Sequence, residues 1–412
     1  MPDIKSVMPF KPLTILALSL LLAGCATLSP PAADKNLRIS IASPLQANNA
    51  NLQNIGSFDV YLDRQTVHAV FTAASSTAKL PLIGYLHSED GGQHWSEPQL
   101  LSTTFSLPVE SKSGNDIQIA ASGKSLLALW QTTGEMPGMG PLLMIFSQDG
   151  GKTWQKGANP TGSDTDQSHP DLAADPEGRF HLVWLDDREE NGYQGLRYAR
   201  TSDVGQSWEL AHTIDTSTCS CCWNRIVVSA DKLINVLYRD MQPRDMALAQ
   251  SSDAGASWRR QSTVGEFNWQ FDGCPHNGGG LTQAGNGDLH SLVWTGAENR
   301  VGLYHLQSAD GGKNWPQPQA FGAGTTGFHS DIAALDANRL AAVWDASGPE
   351  GSSVYLAMST NNGGDWSAAQ QISSPGVSAA FPRIIATDSG WLALWTEQKS
   401  KNSKQWLSAV IQ

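Results

Sequence analysis

Apolar and polar residues along this chain alternate in short runs broken by Gly-rich turns, a period-two pattern that predicts strands rather than helices. Seven of these runs reach an aromatic residue: Phe71, Trp130, Trp184, Tyr238, Trp294, Trp344 and Trp395, spaced 50 to 59 residues apart. Between them an eight-residue pattern recurs, with Ser or Thr first, Asp third, Gly fifth and Trp eighth. Its copies are Ser88–Trp95, Ser147–Trp154, Thr201–Trp208, Ser251–Trp258, Ser308–Trp315 and Ser359–Trp366, with starts 59, 54, 50, 57 and 51 residues apart. The pattern suits a hairpin turn: the carboxylate accepts backbone N–H groups, Gly supplies positive φ, and Trp folds back as a wedge. In the sixth copy Asn361 stands in the Asp position. Each unit therefore reads as four short strands: an inner strand, the aromatic-bearing strand, a strand entering the turn, and an outer strand after it.

Four-stranded units repeated at a period near 50 residues predict an all-β fold, a single β-propeller of seven blades. The last unit, Phe381 to Gln412, supplies only three strands, and the run Leu37–Ile41 ahead of the first unit has no partner of its own. That run is expected to complete the last blade as its outer strand, closing the ring and removing an exposed edge.

The remaining sequence narrows the function classes. With 40% hydrophobic residues and 15 Trp in 412, the chain is too apolar to be disordered. A formal charge of −12, without a basic stripe, argues against nucleic acid as a partner. Lys5 and Lys11 precede an apolar run from Leu13 to Ala23 that ends in Leu22-Ala23-Gly24-Cys25, which reads as a secretory signal over residues 1–24 rather than a spanning helix. The four-residue ending resembles the bacterial lipobox, which implies lipidation of Cys25, a tether over 25–36 and a folded part over 37–412. Ala26 after the Cys implies the outer membrane, with the protein facing the periplasm or exterior and touching the membrane only through its anchor.

The eight-residue copies resemble Asp boxes, or BNR repeats, and the chain is similar to the sialidase-like propellers from residue 37 to the end. The best-known users of this box have six blades, so six is the alternative count. The resemblance implies that the boxes are structural and lie on the face opposite the family's active site. Family sialidases also use an Arg triad, a Tyr–Glu nucleophile pair and an Asp acid/base. Here the strand that would carry the first Arg reads Ser57-Phe58-Asp59-Val60-Tyr61, Phe381-Pro382-Arg383-Ile384 echoes the motif in another blade, and no Tyr follows Tyr355. Hydrolysis of an α-sialoside or other glycoside thus rests on the fold alone, as an alternative to ligand binding; a protein–protein scaffold is a third reading.

Aligning the units by inner strand gives a column at the channel mouth: Asp59, Asp116, Asp171, Arg225, Gly280, Asp331 and Arg383. Its six charged members are the candidate catalytic residues. For any one Asp, the simpler role is to bond backbone N–H groups of the next blade. The loops leading into this ring hold the unusual chemistry: Cys219-Ser220-Cys221-Cys222-Trp223, Cys274-Pro275-His276, Ser168-His169-Pro170 and Phe328-His329. Two readings compete for them. One is disulfide bonding, with Cys222–Cys274 or Cys219–Cys274 stapling blades four and five. The other is a soft-metal site for copper or zinc built from Cys219, Cys221, Cys222, Cys274, His276 and His169, with Met136, Met139 and Met241 in loops on the same face. One bridge plus a Cys/His group combines the two. Asp186–Glu190 and the Arg239–Asp245 loop rim the same mouth, as solvated salt bridges or, less simply, as substrate contacts. The partners expected are a small-molecule, glycan or metal ligand.

Overall fold

The computed structural model describes residues 37–45, 52–75, 81–101, 109, 114, 116–134, 139–162, 167–186, 194–322, 326–349, 351–400 and 403–412. The signal segment, Cys25 and its tether, Met136 and Asp187–Glu190 lie outside these residues. The rest forms seven antiparallel sheets. Their inner strands are Phe58–Asp63, Ile117–Ser122, Gln167–Ala174, Arg225–Val228, Gly279–Gln283, Thr326–Ala334 and Ser378–Thr387. Each touches the inner strand of the next sheet, and the last returns to the first. The chain is a seven-bladed β-propeller, and the six-bladed alternative is excluded. In blade one a short strand, Leu52–Gln53, extends the inner edge.

All seven predicted aromatics sit on second strands, where Phe71, Trp130, Trp184, Tyr238, Trp344 and Trp395 are at most 1% exposed. The core therefore lies between blades, and the large apolar clusters draw on adjacent sheets. The boxes join third to fourth strands. In the first, Asp90 Oδ1 accepts the His94 N–H at 2.9 Å and the Ser88 hydroxyl at 2.9 Å, while Ser88 Oγ accepts the Gly92 N–H at 2.9 Å. The sixth keeps the turn by exchanging roles: Asn361 Oδ1 accepts the Asp365 N–H at 2.8 Å, and its amide donates to Asp365 Oδ2 at 2.9 Å. Box tryptophans wedge against the preceding blade, Trp154 on Tyr85 at 5.3 Å and Trp258 on Tyr198 at 4.8 Å between ring centroids. Gly255 shows why the turn needs glycine. Its φ is +87°, and an added Cβ would lie 1.8 Å from the Tyr198 hydroxyl.

Closure follows the expectation. Ile39–Ala42 pairs antiparallel with the last strand, Ser403–Ile411, as the outer strand of blade seven, with Ile39 opposite Ile411 and Ala42 opposite Ser408. Arg38 and Gln412 exchange both backbone hydrogen bonds at 3.0 Å. Leu37 and Ile39 pack on the core between blades six and seven. The seam between blades seven and one is filled by Trp406, 1% exposed, with Phe58, Phe71 and Trp95 at centroid distances of 5.2, 5.6 and 6.3 Å.

Deleting residues 37–43 exposes the last strand's edge and uncovers part of that core. The expected result is thermal unfolding lowered by roughly 5 °C or more, and Trp406→Ala is expected to cost about 3–5 kcal/mol. An unchanged melting curve for the deletion would make this segment a mere tether.

Candidate functional site

Strand register decides which residues ring the channel. Asp59, Asp171, Arg225, Asp331 and Arg383 each lie opposite the residue just before a second-strand aromatic: Val70, Val183, Leu237, Val343 and Leu394. In blades two and five that position belongs to Gln118, opposite Leu129, and Gly279, opposite Val293. Asp116 and Gly280 are therefore displaced from the ring column. Unit spacing alone does not fix register, because connecting loops vary by a residue or two. Asp116 sits just ahead of its strand, and its carboxylate accepts the Trp223 indole N–H at 3.0 Å.

The ring carboxylates bind the blades together. Asp59 accepts the Ile119 N–H at 3.0 Å, Asp171 that of Ile226 at 2.7 Å, and Asp331 that of Ile384 at 3.1 Å, each reaching into the following blade. The guanidiniums are spent on the same carboxylates. Arg383 contacts Asp59 and Asp331, both at 3.1 Å, and Arg225 contacts Asp331 at 3.3 Å. Burial raises the Asp59 pKa, against the opposing pull of Arg383. Burial also pushes Asp171 up to about 6, with Arg225 and Arg383 opposing it. For Arg225, burial works against the charge, but Asp331, Asp171 and Asp59 outweigh it and the pKa is raised. A plug of three carboxyls and two guanidiniums thus separates two cavities, a channel bordered by Asp59, Asp171, Arg225 and Arg383, and a mouth pocket partly open to solvent.

The mouth pocket is built by β-bulges. Register shifts between Ser168 and Asp171, Gly327 and Ser330, and Ala380 and Arg383 place His169-Pro170, Phe328-His329 and Phe381-Pro382 ahead of the ring. His169 and Phe381 hold φ of +51° and +55°, uncommon for side chains of this size. Trp223 meets His169, His329 and Phe381 at centroid distances of 5.2, 5.6 and 6.0 Å, and His329 meets Phe381 at 4.3 Å. Trp223, His329 and Phe381 border the pocket, with Arg225, Asp331 and Arg383 beneath. Asp345, 4% exposed, positions this wall: it bonds His329 Nδ1 at 2.8 Å and accepts the N–H groups of His329 at 3.0 Å and Phe381 at 2.9 Å. Burial, then His276, lowers the His169 pKa to about 3, keeping that ring neutral. The roles of Trp223, Phe381 and Asp345 escape the sequence reading. The dipeptides His-Pro, Phe-His and Phe-Pro just ahead of the ring are the signal that marks the bulges.

The cysteines gather beside this pocket. Cys219 and Cys222 form a disulfide within one loop, their Cα atoms 5.8 Å apart, so neither expected bridge between blades four and five is present. The Cys219 N–H bonds the Arg239 carbonyl at 3.0 Å, which ties the loop to the second strand of blade four. Cys221 is buried and free, Cys274 exposed and free. Ligand atoms of Cys221, Cys274 and His276 all lie within 4.8 Å of one another. Burial, and then the hydrogen bond with Cys274, pushes the Cys221 thiol up to about 12. His169 and His329 pack on Trp223 rather than joining this trio. Met139 Sδ accepts the Gln194 amide at 3.8 Å. The expected rim charges are internal ties: Arg239 donates to the carbonyls of Asn277, Arg244 and Trp294, Asp240 pairs with Arg260, and Asp245 accepts the N–H groups of Asn268 and Trp269.

Residues 59–263 match the BNR repeat-like domain family. No curated protein matches the sequence. Among solved structures, an ulvan lyase described as a new family of polysaccharide lyase is 11% identical over 87% of this chain and 94% of that one, with TM-score 0.56. YCF48 bound to a D1 peptide is 16% identical over 93% and 98%, with TM-score 0.53. A Hadza microbial sialidase is 15% identical over 74% of this chain, which spans 66% of that one, with TM-score 0.48. The chain is thus a β-propeller, about half of which matches the BNR repeat-like domain family. At these identities the likeness concerns the fold, and the chemistry must come from the residues at the mouth.

Asp171 gives a pH test of the ring. A carboxyl whose folded pKa is raised to about 6 contributes stability below the unfolded pKa near 3.8 and loses it as pH rises through 6. Asp171→Asn keeps an acceptor for Ile226 but removes the titration. Chemical denaturation at pH 4 and pH 7 should show the variant gaining on the wild type by up to about 3 kcal/mol as pH rises; a constant difference would refute the buried-acid assignment.

Proposed function

We propose that this propeller is an exported lipoprotein of the bacterial envelope that binds a small ligand in the pocket at its mouth. The observation that carries the reading is the wall of Trp223, Phe381 and His329 above a floor whose guanidiniums are already neutralised by Asp59 and Asp331. Aromatic rings over a polar floor of paired charges suit a ligand with one flat apolar face and hydrogen-bonding edges, as a sugar ring has. The fold is shared with a polysaccharide lyase, which agrees with a glycan ligand. Export and anchoring rest on the Leu22–Cys25 ending, and the intact mass of membrane-extracted protein tests lipidation of Cys25.

Sialidase chemistry fits less well. That resemblance calls for Arg side chains free to hold a carboxylate, whereas Arg225 and Arg383 are committed to the ring, and Asp331 is 3% exposed and already bonded to both. A soft metal is the second reading, favoured by the proximity of Cys221, Cys274 and His276.

The test is calorimetric titration of neutral mono- and oligosaccharides into wild type and Trp223→Ala, with a simple α-sialoside assayed alongside. Binding weakened about 10-fold in the variant, consistent with loss of one aromatic contact, and no sialoside turnover are expected. Robust turnover abolished by Arg225→Ala or Arg383→Ala would instead make the protein a hydrolase.

A further inference from the structure

We infer that Cys221, Cys274 and His276 form a three-coordinate site for Cu(I) at the junction of blades four and five, its ligand number set by the Cys219–Cys222 bridge. This rests on the soft-metal reading of the mouth and specifies its ion and ligands. Adjacent blades present equivalent loops side by side, which brings Cys221 of one to Cys274 and His276 of the next. Metal–thiolate bonds near 2.3 Å place the corners of a trigonal site roughly 4 Å apart. The three ligand atoms here are within 4.8 Å of one another, so a small inward rotation completes the triangle.

The donor set is soft and three-membered, a set that Cu(I) takes without a further ligand, whereas zinc would need a water as its fourth. Four thiols and a histidine would suit tetrahedral Zn(II), but the bridge removes Cys219 and Cys222. Two thiolates and one imidazole remain, a soft set short of the four ligands that structural zinc takes. Cu(I) is satisfied by three. Each thiol gives up its proton on binding, so one ion displaces two protons and no electron moves. The complex then carries one net negative charge, which the nearby guanidiniums of Arg239 and Arg244 offset. Cys274 and His276 are exposed and provide the way in, while buried Cys221 anchors the ion from within.

The experiment uses the full chain carrying Cys25→Ser, so that it is neither lipidated nor left with a competing thiol there, purified anaerobically. It is titrated with Cu(I) against bicinchoninate and separately with Zn(II). One Cu(I) per chain is expected, with an X-ray absorption shell of two sulfurs and one nitrogen. Affinity should fall at least about 100-fold in Cys221→Ser and Cys274→Ser and about 10-fold in His276→Ala, since each removes a bond to the ion. Exposed His212→Ala should bind as the parent does, and thermal unfolding should show every variant folded. Zn(II) retained in preference to Cu(I) would overturn the Cu(I) assignment while leaving the soft-metal reading standing. Failure to retain either ion would overturn both, as would peptide mapping that finds Cys221 bridged to Cys274.

Discussion

A sheet with two apolar faces has to be covered on both, and among the described residues the cover is another blade. Everything else depends on the ring being closed. The interface between blades seven and one is the one seam the chain does not make by simple succession. There the first strand, Ile39–Ala42, pairs with the last, and Trp406 fills the gap among Phe58, Phe71 and Trp95. Opening this seam would loosen the inner strands whose ends define the channel, and with them the geometry of the mouth.

Inside the closed ring, polar groups do the work of fixing blades radially. Asp59, Asp171 and Asp331 each accept an N–H from the following blade, and Arg225 and Arg383 cross-link them. Such groups are costly to bury unless satisfied, and their reward is a defined register around the axis. The plug they form is why the ligand chemistry sits above it. Bulges immediately ahead of the plug lift His169, His329 and Phe381 out of the ladder and around Trp223, and the adjoining loops bring thiols and an imidazole together.

Much of the fold was legible because it is periodic. The box turns, the second-strand aromatics and the closing strand each followed from spacing and from an unpaired edge. The simpler role for the ring aspartates was legible too, since an Asp at an inner-strand start has the next blade's N–H groups within reach. What spacing does not carry is register. Asp116 and Gly280 were aligned with the ring although Gln118 and Gly279 occupy it, because a shift of one or two residues in a loop is invisible in a repeat of about 55 residues. Cysteine connectivity was equally hidden: Cys219 meets Cys222 across a tight turn within one loop, which composition does not record. Asp345 went unseen because its work is done on backbone N–H groups of two other strands.

The central claim is that the buried ring is cement and that the chemistry lies above it. Thermal and chemical unfolding of Asp331→Asn tests this most directly, since Asp331 bonds both guanidiniums and the backbone of blade seven. A loss of about 3–5 kcal/mol is expected, as for breaking a buried ion pair from one side, with no enzymatic turnover in either protein. A variant as stable as the wild type that loses a measurable glycosidase activity would contradict the claim and make Asp331 a catalytic carboxylate.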